Sequence, residues 1–579
     1  MNIKSLILLF LLITPSVFAQ KSLTDWVQET KSDFRSPLNI PLFLAGNFGE
    51  CRPNHFHTGL DLKTNQKENL EVFAVADGFI SRISMSHTGY GHCLYVTHPN
   101  GLTSVYAHLN TFSPAIQNYL EKHQEKNKKW NIDISIEEGI LPIKKGEQIA
   151  LSGNTGGSVA PHLHFEIRET GTNQALNPSA FPAFQVQDKI APKPSKIAIY
   201  NAQESLYKQS PDIYSLIAQG NNKYTGDLII TNKDKVFFSL EVKDFMNGSN
   251  NWLGIYSIKL FLNDSLHFQT KIDKIDLSIN RMMNSYIDYV QYANKKSFFQ
   301  LLYILPNNHL QLYPISNNNG AIKLREGKQK IRIEIEDYYT NKSSIQFEIL
   351  KKQEQIAEES TKLKYNYKNE ELIPGLFQNF TKEYFYLNSK TLSVYDTITF
   401  KYKEKKEAHL LSPIITINAQ EFPIHEAMEL GIRLLKPLPL HLRSKLIFSH
   451  PIQASSLPGQ AAQNAIPAKF EKGYAIAPIQ SFGHYHVAID TVAPKISVLS
   501  RNQLKPGDII RIQVEEESTY IASFEAKLED GSWLNMRRAK NIFYYKIPLD
   551  FPRGKHNVQI EASDANQNVQ KQQFELNIQ

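Results

Sequence analysis

At 579 residues the chain is too long for one hydrophobic core, and its length predicts three to five domains. Its 41% hydrophobic and 21% charged residues are ordinary for globular protein. The formal net charge of +7 is spread along the chain, which excludes a nucleic-acid footprint and fits an evenly solvated surface. With 27 Tyr, 32 Phe and long Ile/Val/Thr alternation, the expected fold class is mainly β.

Residues 1–19 have the plan of a secretory leader: Lys4, an apolar run from Leu6 to Ile13, and Val17-Phe18-Ala19 before Gln20. The run is shorter than the about 20 residues a membrane span needs. No cysteine follows the cleavage point and no later segment is apolar enough to cross a bilayer. The expectation is an exported chain of the periplasm or cell envelope with no membrane span. Residues 20–40 form a lead-in, with a short helix at Leu23-Thr24-Asp25-Trp26-Val27 that Pro37 and Pro41 interrupt. The lead-in is a candidate to pack beside the mouth of any site that follows.

Residues 41–187 read as a compact antiparallel β domain. Short β runs at Glu71 to Val75, Gly78 to Ile83, Cys93 to Thr97, Leu102 to Ala107 and Glu147 to Ser152 are each bounded by turn residues. A stretch at about 111–141 breaks the pattern. Ser113-Pro114 predicts a helix start, and Ile116, Tyr119 and Leu120 supply an apolar stripe. Such a helix either packs on the surface or walls a cleft. Cys51 and Cys93 are the only cysteines, and the sequence leaves open whether they are bridged.

Two pieces of this segment carry chemistry. In Asn54-His55-Phe56-His57-Thr58-Gly59-Leu60-Asp61, a Thr-Gly pair lets His57 and Asp61 meet at one point. In Pro161-His162-Leu163-His164-Phe165-Glu166, a strand places both imidazoles on one face. Two imidazoles and one carboxylate suit Zn²⁺ and leave a fourth position open. Period-two geometry alone leaves His162 and His164 interchangeable. Tyr106-Ala107-His108-Leu109 adds a further histidine. His55 shares a face with His57, whereas His87, His92 and His98 flank turns and are expected to bond locally.

These motifs resemble the lysostaphin-type (LytM-like) zinc metallopeptidases that cut peptide bonds in peptidoglycan. The resemblance spans about Phe43 to Phe181. It extends to Ala74-Val75-Ala76-Asp77-Gly78, Gly89-Tyr90-Gly91, His98-Pro99-Asn100-Gly101, Lys144-Lys145-Gly146-Glu147 and Ser152-Gly153-Asn154-Thr155-Gly156. It implies that His57, Asp61 and His164 ligate zinc and that His108 and His162 are the catalytic histidines. In some relatives a segment before the domain covers the zinc.

Beyond residue 187 an internal repeat appears. Asp188-Lys189-Ile190-Ala191-Pro192 resembles Asp490-Thr491-Val492-Ala493-Pro494. Gly327-Lys328, Ile331, Ile333, Asp337, Asn341, Phe347 and Ile349 match Gly554-Lys555, Val558, Ile560, Asp564, Asn568, Phe574 and Leu576 at a constant offset of 227 (554 − 327). Tandem β-sandwich modules similar to bacterial immunoglobulin-like domains are expected. The expected divisions are 188–353, with an insertion around Leu266 to Ala321, then a β-rich 354–489, then 490–579.

The function these readings imply is an exported zinc endopeptidase acting on peptidoglycan peptides. Its C-terminal β modules are available to an envelope protein partner, and nucleic acid is excluded. The alternative is a non-enzymatic envelope protein that binds wall or activates another hydrolase through the same fold, and a further rival is an adhesin with a structural zinc.

Overall fold

The computed structural model describes residues 21–352, 370–418, 421–449 and 465–579. The leader expected at residues 1–19 lies outside them, as does the expected division near residue 353. The fold is mainly β, built from antiparallel sheets, as the composition predicts. Among the described residues, no helix is long and apolar enough to cross a membrane.

The first segment is organised by a twisted sheet whose strands run, side by side, Leu44–Gly46, Leu60–Lys63, His162–Glu169, Leu102–Ala107, His92–Thr97, Gly78–Met85 and Ile132–Ser135. A smaller sheet of Glu71–Phe73, Gln148–Ser152 and Leu109–Phe112 lies beside it. Both faces of the central strands are covered: Leu102–Ala107 is buried at all positions, Thr103 and Ser104 included. Register then sets the chemistry. His164 stands opposite Asp61 on one side and Ala107 on the other, so the last residue before His108 borders the same point.

The lead-in forms the helix Leu23–Thr30, closed by a capping box between Ser22 and Asp25. It does not lie beside the site histidines. Asn100 Nδ2 donates to Asp33, and the Trp26 ring sits over Gly101, in the turn from His92–Thr97 to Leu102–Ala107. That turn is at the opposite end of the sheet from His164. The helix Pro114–Asn127 is present, with Ile116 and Leu120 buried. It packs as a surface element: Gln124 donates to Trp130 O and accepts from Asn535 of the last module. Cys51 and Cys93 are both buried free thiols.

Residues 193–351 make two sheets around a core that includes Ile197, Phe238, Leu260, Ile333 and Ile345. Residues 503–578 belong to a sandwich with its own core of Ile510, Ile512, Val558, Ile560 and Leu576. The repeat ends in matching hairpins, Gly327–Glu336 with Lys342–Lys351 and Gly554–Asp564 with Val569–Ile578.

Residues 41–187, read from the sequence as a compact domain, also make contacts beyond residue 187. Ala175–Leu176 pairs with Lys274–Ile275 across residue 187. Asn280 bonds both the N–H and the C=O of Phe56, whose ring packs against Tyr286 at 5.3 Å. The sequence hides this because those partners sit in the first module's insertion. A chain cut after Gln187 is therefore expected to aggregate or to unfold roughly 5 °C or more below the full chain, since each kcal/mol is worth a few degrees. Circular dichroism melts check this. An unchanged melting temperature would show that these contacts add nothing.

Candidate metal centre

Three atoms converge where His162–Glu169 meets Leu60–Lys63, at one end of the sheet. His57 Nε2 lies 3.0 Å from Asp61 Oδ1 and 2.9 Å from His164 Nδ1, and His164 Nδ1 lies 2.9 Å from Asp61 Oδ1. All three residues are buried. Gly59 is required between them, because a Cβ there would meet Phe165 O at 2.4 Å. Only a glycine lets the His57-to-Asp61 loop approach the neighbouring strand this closely.

Each histidine is oriented by its other nitrogen. His57 Nδ1 donates to Asn47 O at 2.8 Å, which leaves Nε2 to face the centre. His164 Nε2 donates to Glu166 Oε1 at 2.7 Å, which leaves Nδ1 inward. Glu166 is fully buried and is held by Thr58 Oγ1, Tyr90 OH and Arg168 Nε at 2.7, 2.6 and 2.6 Å. Arg52 Nη2 bonds the outer oxygen of Asp61 at 2.5 Å, so Oδ1 remains for the centre. A tetrahedral zinc with donors at about 2.0–2.1 Å would hold them about 3.3 Å apart. A few tenths of an ångström of outward movement accommodates it, and the two imidazoles plus carboxylate, each supported from behind, fit zinc.

The structure separates the two strand histidines that alternation left equivalent. His162 Nδ1 donates to Ala160 O at 2.8 Å, and its Nε2 lies 3.3 Å from Asp61 Oδ1 at the more exposed edge. His108 Nδ1 donates to Thr155 O at 2.8 Å, and its ring stands 4.8 Å from that of His162. His108 adopts a left-handed φ of 59°, which costs roughly 1–2 kcal/mol for a residue with a Cβ. Its N–H bond to Tyr90 O and its ring bond to Thr155 hold it there.

Burial, reinforced by the Arg52 guanidinium, pushes His57 down to about 4. Burial, reinforced by His162, pushes His108 down to about 3. Both imidazoles are therefore neutral near pH 7, with a lone pair available. Burial opposes charge on His164, but the Asp61 and Glu166 carboxylates carry it up to about 9. Burial also opposes charge on Asp61, yet His57 and Arg52 hold it well below the usual carboxylate range.

His55 Nδ1 bonds Pro53 O, and the residue is not one of the three that converge. His87 stacks on Trp130, His92 bonds Asn110 O, and His98 bonds Asp77 O and Ser104. The sequence reading gave no role to Asn47, Arg52, Thr58, Tyr90 or Thr155. Asn47 and Thr155 act through backbone carbonyls and leave no side-chain signal. Glu166 was also given no role, although its place two residues past His164 on the same strand face is a signal that could have found it.

Replacing Glu166 with Gln keeps the shape but removes the carboxylate behind His164. Zinc affinity, read by competition with a chromogenic chelator, is expected to fall roughly 10–100-fold. An unchanged affinity would mean that Glu166 only packs.

Residues 55–125 and 131–178 match peptidase family M23, and residues 377–490 match the Zu5-like domain. The DD-carboxypeptidase/endopeptidase Mpg of Neisseria meningitidis serogroup B is 34% identical over 122 residues, 21% of this chain and 22% of that one. An uncharacterized metalloprotease of Haemophilus influenzae is 32% identical over 130 residues, 22% of this chain and 21% of that one. The chain thus spans about a fifth of the length of these curated relatives. The lipoprotein NlpD of Yersinia enterocolitica is 30% identical over 107 residues, 18% of this chain and 84% of that one. Among solved structures, the catalytic domain of the prophage-encoded M23 protein EnpA from Enterococcus faecalis is 19% identical. It covers 25% of this chain and 95% of its own, with a TM-score of 0.19. With its sequence matched across both motif pieces, and those pieces meeting in one buried cluster, the chain belongs to peptidase family M23.

Proposed function

We propose that the chain is a zinc endopeptidase that hydrolyses peptide bonds of peptidoglycan, in stem peptides or cross-bridges, outside the cytoplasmic membrane. The observation that carries this reading is the convergence of His57 Nε2, Asp61 Oδ1 and His164 Nδ1 beside His108 and His162, each oriented by an Nδ1 bond to a backbone carbonyl. Relatives named as an endopeptidase and a metalloprotease support the reaction class, and a lipoprotein relative supports an envelope location.

When bound by His57, Asp61 and His164, zinc supplies Lewis acidity and lowers the pKa of water to roughly 7. The protein's own part is proton management. His162, at the exposed edge, and His108, ring to ring with it, divide two tasks. One takes the proton from the attacking water. The other stabilises the oxyanion or returns the proton to the leaving amine. Asn47 O, Glu166 and Arg52 keep the donors from turning between cycles. The β modules after residue 187 serve as spacers or as a docking surface for an envelope partner.

Zinc content and peptidoglycan cleavage, measured on the same preparations, test this reading. His164→Ala is expected to lose both. His162→Ala and His108→Ala are expected to keep zinc and lose turnover by roughly 10²–10⁴-fold. Zinc lost from His162→Ala but kept in His164→Ala would reverse the assignment. Full cleavage by a demonstrably metal-free preparation would refute the mechanism.

A further inference from the structure

The repeat that marks the two immunoglobulin-like modules also builds the same acidic cluster twice. In the first module Asp188, Asp244 and Asp337 each bring a carboxylate oxygen within 4.8 Å of the others. In the last module Asp490, Glu516 and Asp564 do the same. Two members of each trio are the repeat residues: the aspartate that opens the D-x-x-A-P linker, and the aspartate of the closing hairpin, 227 residues apart (564 − 337). The third member lies outside the repeated sequence motifs but holds the same place in the topology. Asp244 directly follows Lys243, which pairs with Lys193 of the linker strand, and Glu516 directly follows Glu515, which pairs with Lys495.

The surrounding bonds repeat as well. Asp188 accepts from the N–H of Ile190, and Asp490 from that of Val492, each two residues on. Asp337 accepts from both the backbone and the side chain of Asn341, as Asp564 does from Asn568. These bonds leave matching vacancies. Asp188 Oδ2 and Asp490 Oδ2 are both buried without a hydrogen-bond partner, and so is Asp244 Oδ1. Asp244 and Asp490 are each only 2% exposed. A buried carboxylate oxygen that nothing satisfies costs several kcal/mol unless a cation or proton meets it.

We infer that each trio is a calcium site that braces the junction through which the chain enters its module. The donors are all hard carboxylate oxygens, which select Ca²⁺ or Mg²⁺ over zinc. Oxygens bound to one Ca²⁺ at about 2.3–2.6 Å can lie up to about 5 Å apart, and the observed spread falls inside that limit. Mg²⁺ needs closer, octahedral packing and retains its water. Burial and the neighbouring Asp337 push Asp244 up to about 9, and burial pushes Asp337 up to about 6. Lys445, the cation that acts on Asp490 of the second trio, donates its Nζ to Asn566 O at 2.8 Å.

Both clusters sit where segments meet. Asp244 and Asp337 line a small pocket together with Asn47 and Asn177 of the peptidase segment. At the other, Asn566 Nδ2 donates to Leu446 O of the preceding β region, beside Asp564. An ion in either place ties linker, strand end and hairpin turn into one unit. It would set the angle between a module and the segment before it.

The test is calorimetric titration of Ca²⁺ into the full chain, stripped of calcium and loaded with zinc beforehand so that the histidine site is filled. About two Ca²⁺ per chain are expected, with dissociation constants at or below the 10⁻⁴–10⁻³ M of extracellular modules. Asp244→Asn and Asp564→Asn should each bind about one, and the double variant none. Circular dichroism and retained zinc confirm that the variants are folded. Should either variant misfold, limited proteolysis of the wild type decides: calcium, but not equal magnesium, should slow cleavage at residues 185–192 and 490–494. Absence of calcium binding by the wild type, undiminished binding by the folded double variant, or no effect of calcium on cleavage would overturn the inference.

Discussion

The structure depends on a carboxylate and two imidazoles being held together in one buried cluster. Asp61, His57 and His164 are buried, with their inner atoms 2.9–3.0 Å from one another. The fold orients them from behind. Asn47 O fixes His57, Arg52 occupies the outer oxygen of Asp61, and Glu166 fixes His164 while being tied to Thr58, Tyr90 and Arg168. Every one of these supports removes a rotation that would otherwise have to be frozen when the metal binds, which is the value of a preformed site.

That support reaches well beyond the motif-bearing segment. Asn47, whose carbonyl orients His57, is itself held through two side-chain bonds to the backbone of Gly254. Asn284 bonds Asn54, and Asn280 bonds Phe56, on the loop that leads to His57. The first β module is therefore part of the frame of the site as well as a following domain. The last module also returns to the peptidase segment, where Asn535 meets Gln124 and Arg537 meets His92.

The candidate ligands and catalytic candidates were legible because they are side chains in local patterns: HxxxD across a Thr-Gly turn, and HxH on a strand. Register then did what spacing predicts, bringing His164 opposite Asp61. What was illegible falls into two kinds. Backbone acceptors such as Asn47 O and Thr155 O carry no residue signature. Contacts across hundreds of residues, such as Phe56 with Asn280, depend on tertiary packing that local propensity does not encode. The lead-in illustrates the second kind. Its helix and cap follow from Ser22 and Asp25, but its docking at the far end of the sheet depends on Trp26 and Asp33 finding Gly101 and Asn100. Likewise the D-x-x-A-P and Asp/Asn repeat was visible, whereas the equivalence of Asp244 and Glu516 required strand pairing to see.

The central claim is that His57, Asp61 and His164 form a three-ligand zinc site with an open position. X-ray absorption at the zinc edge of the zinc-loaded full chain tests it most directly. The account predicts two imidazole nitrogens at about 2.0–2.1 Å and carboxylate oxygen at about 2.0–2.2 Å, with one small exchangeable oxygen completing the shell. A sulfur shell at about 2.3 Å, or a spectrum that His164→Ala leaves unchanged at full zinc occupancy, would contradict it.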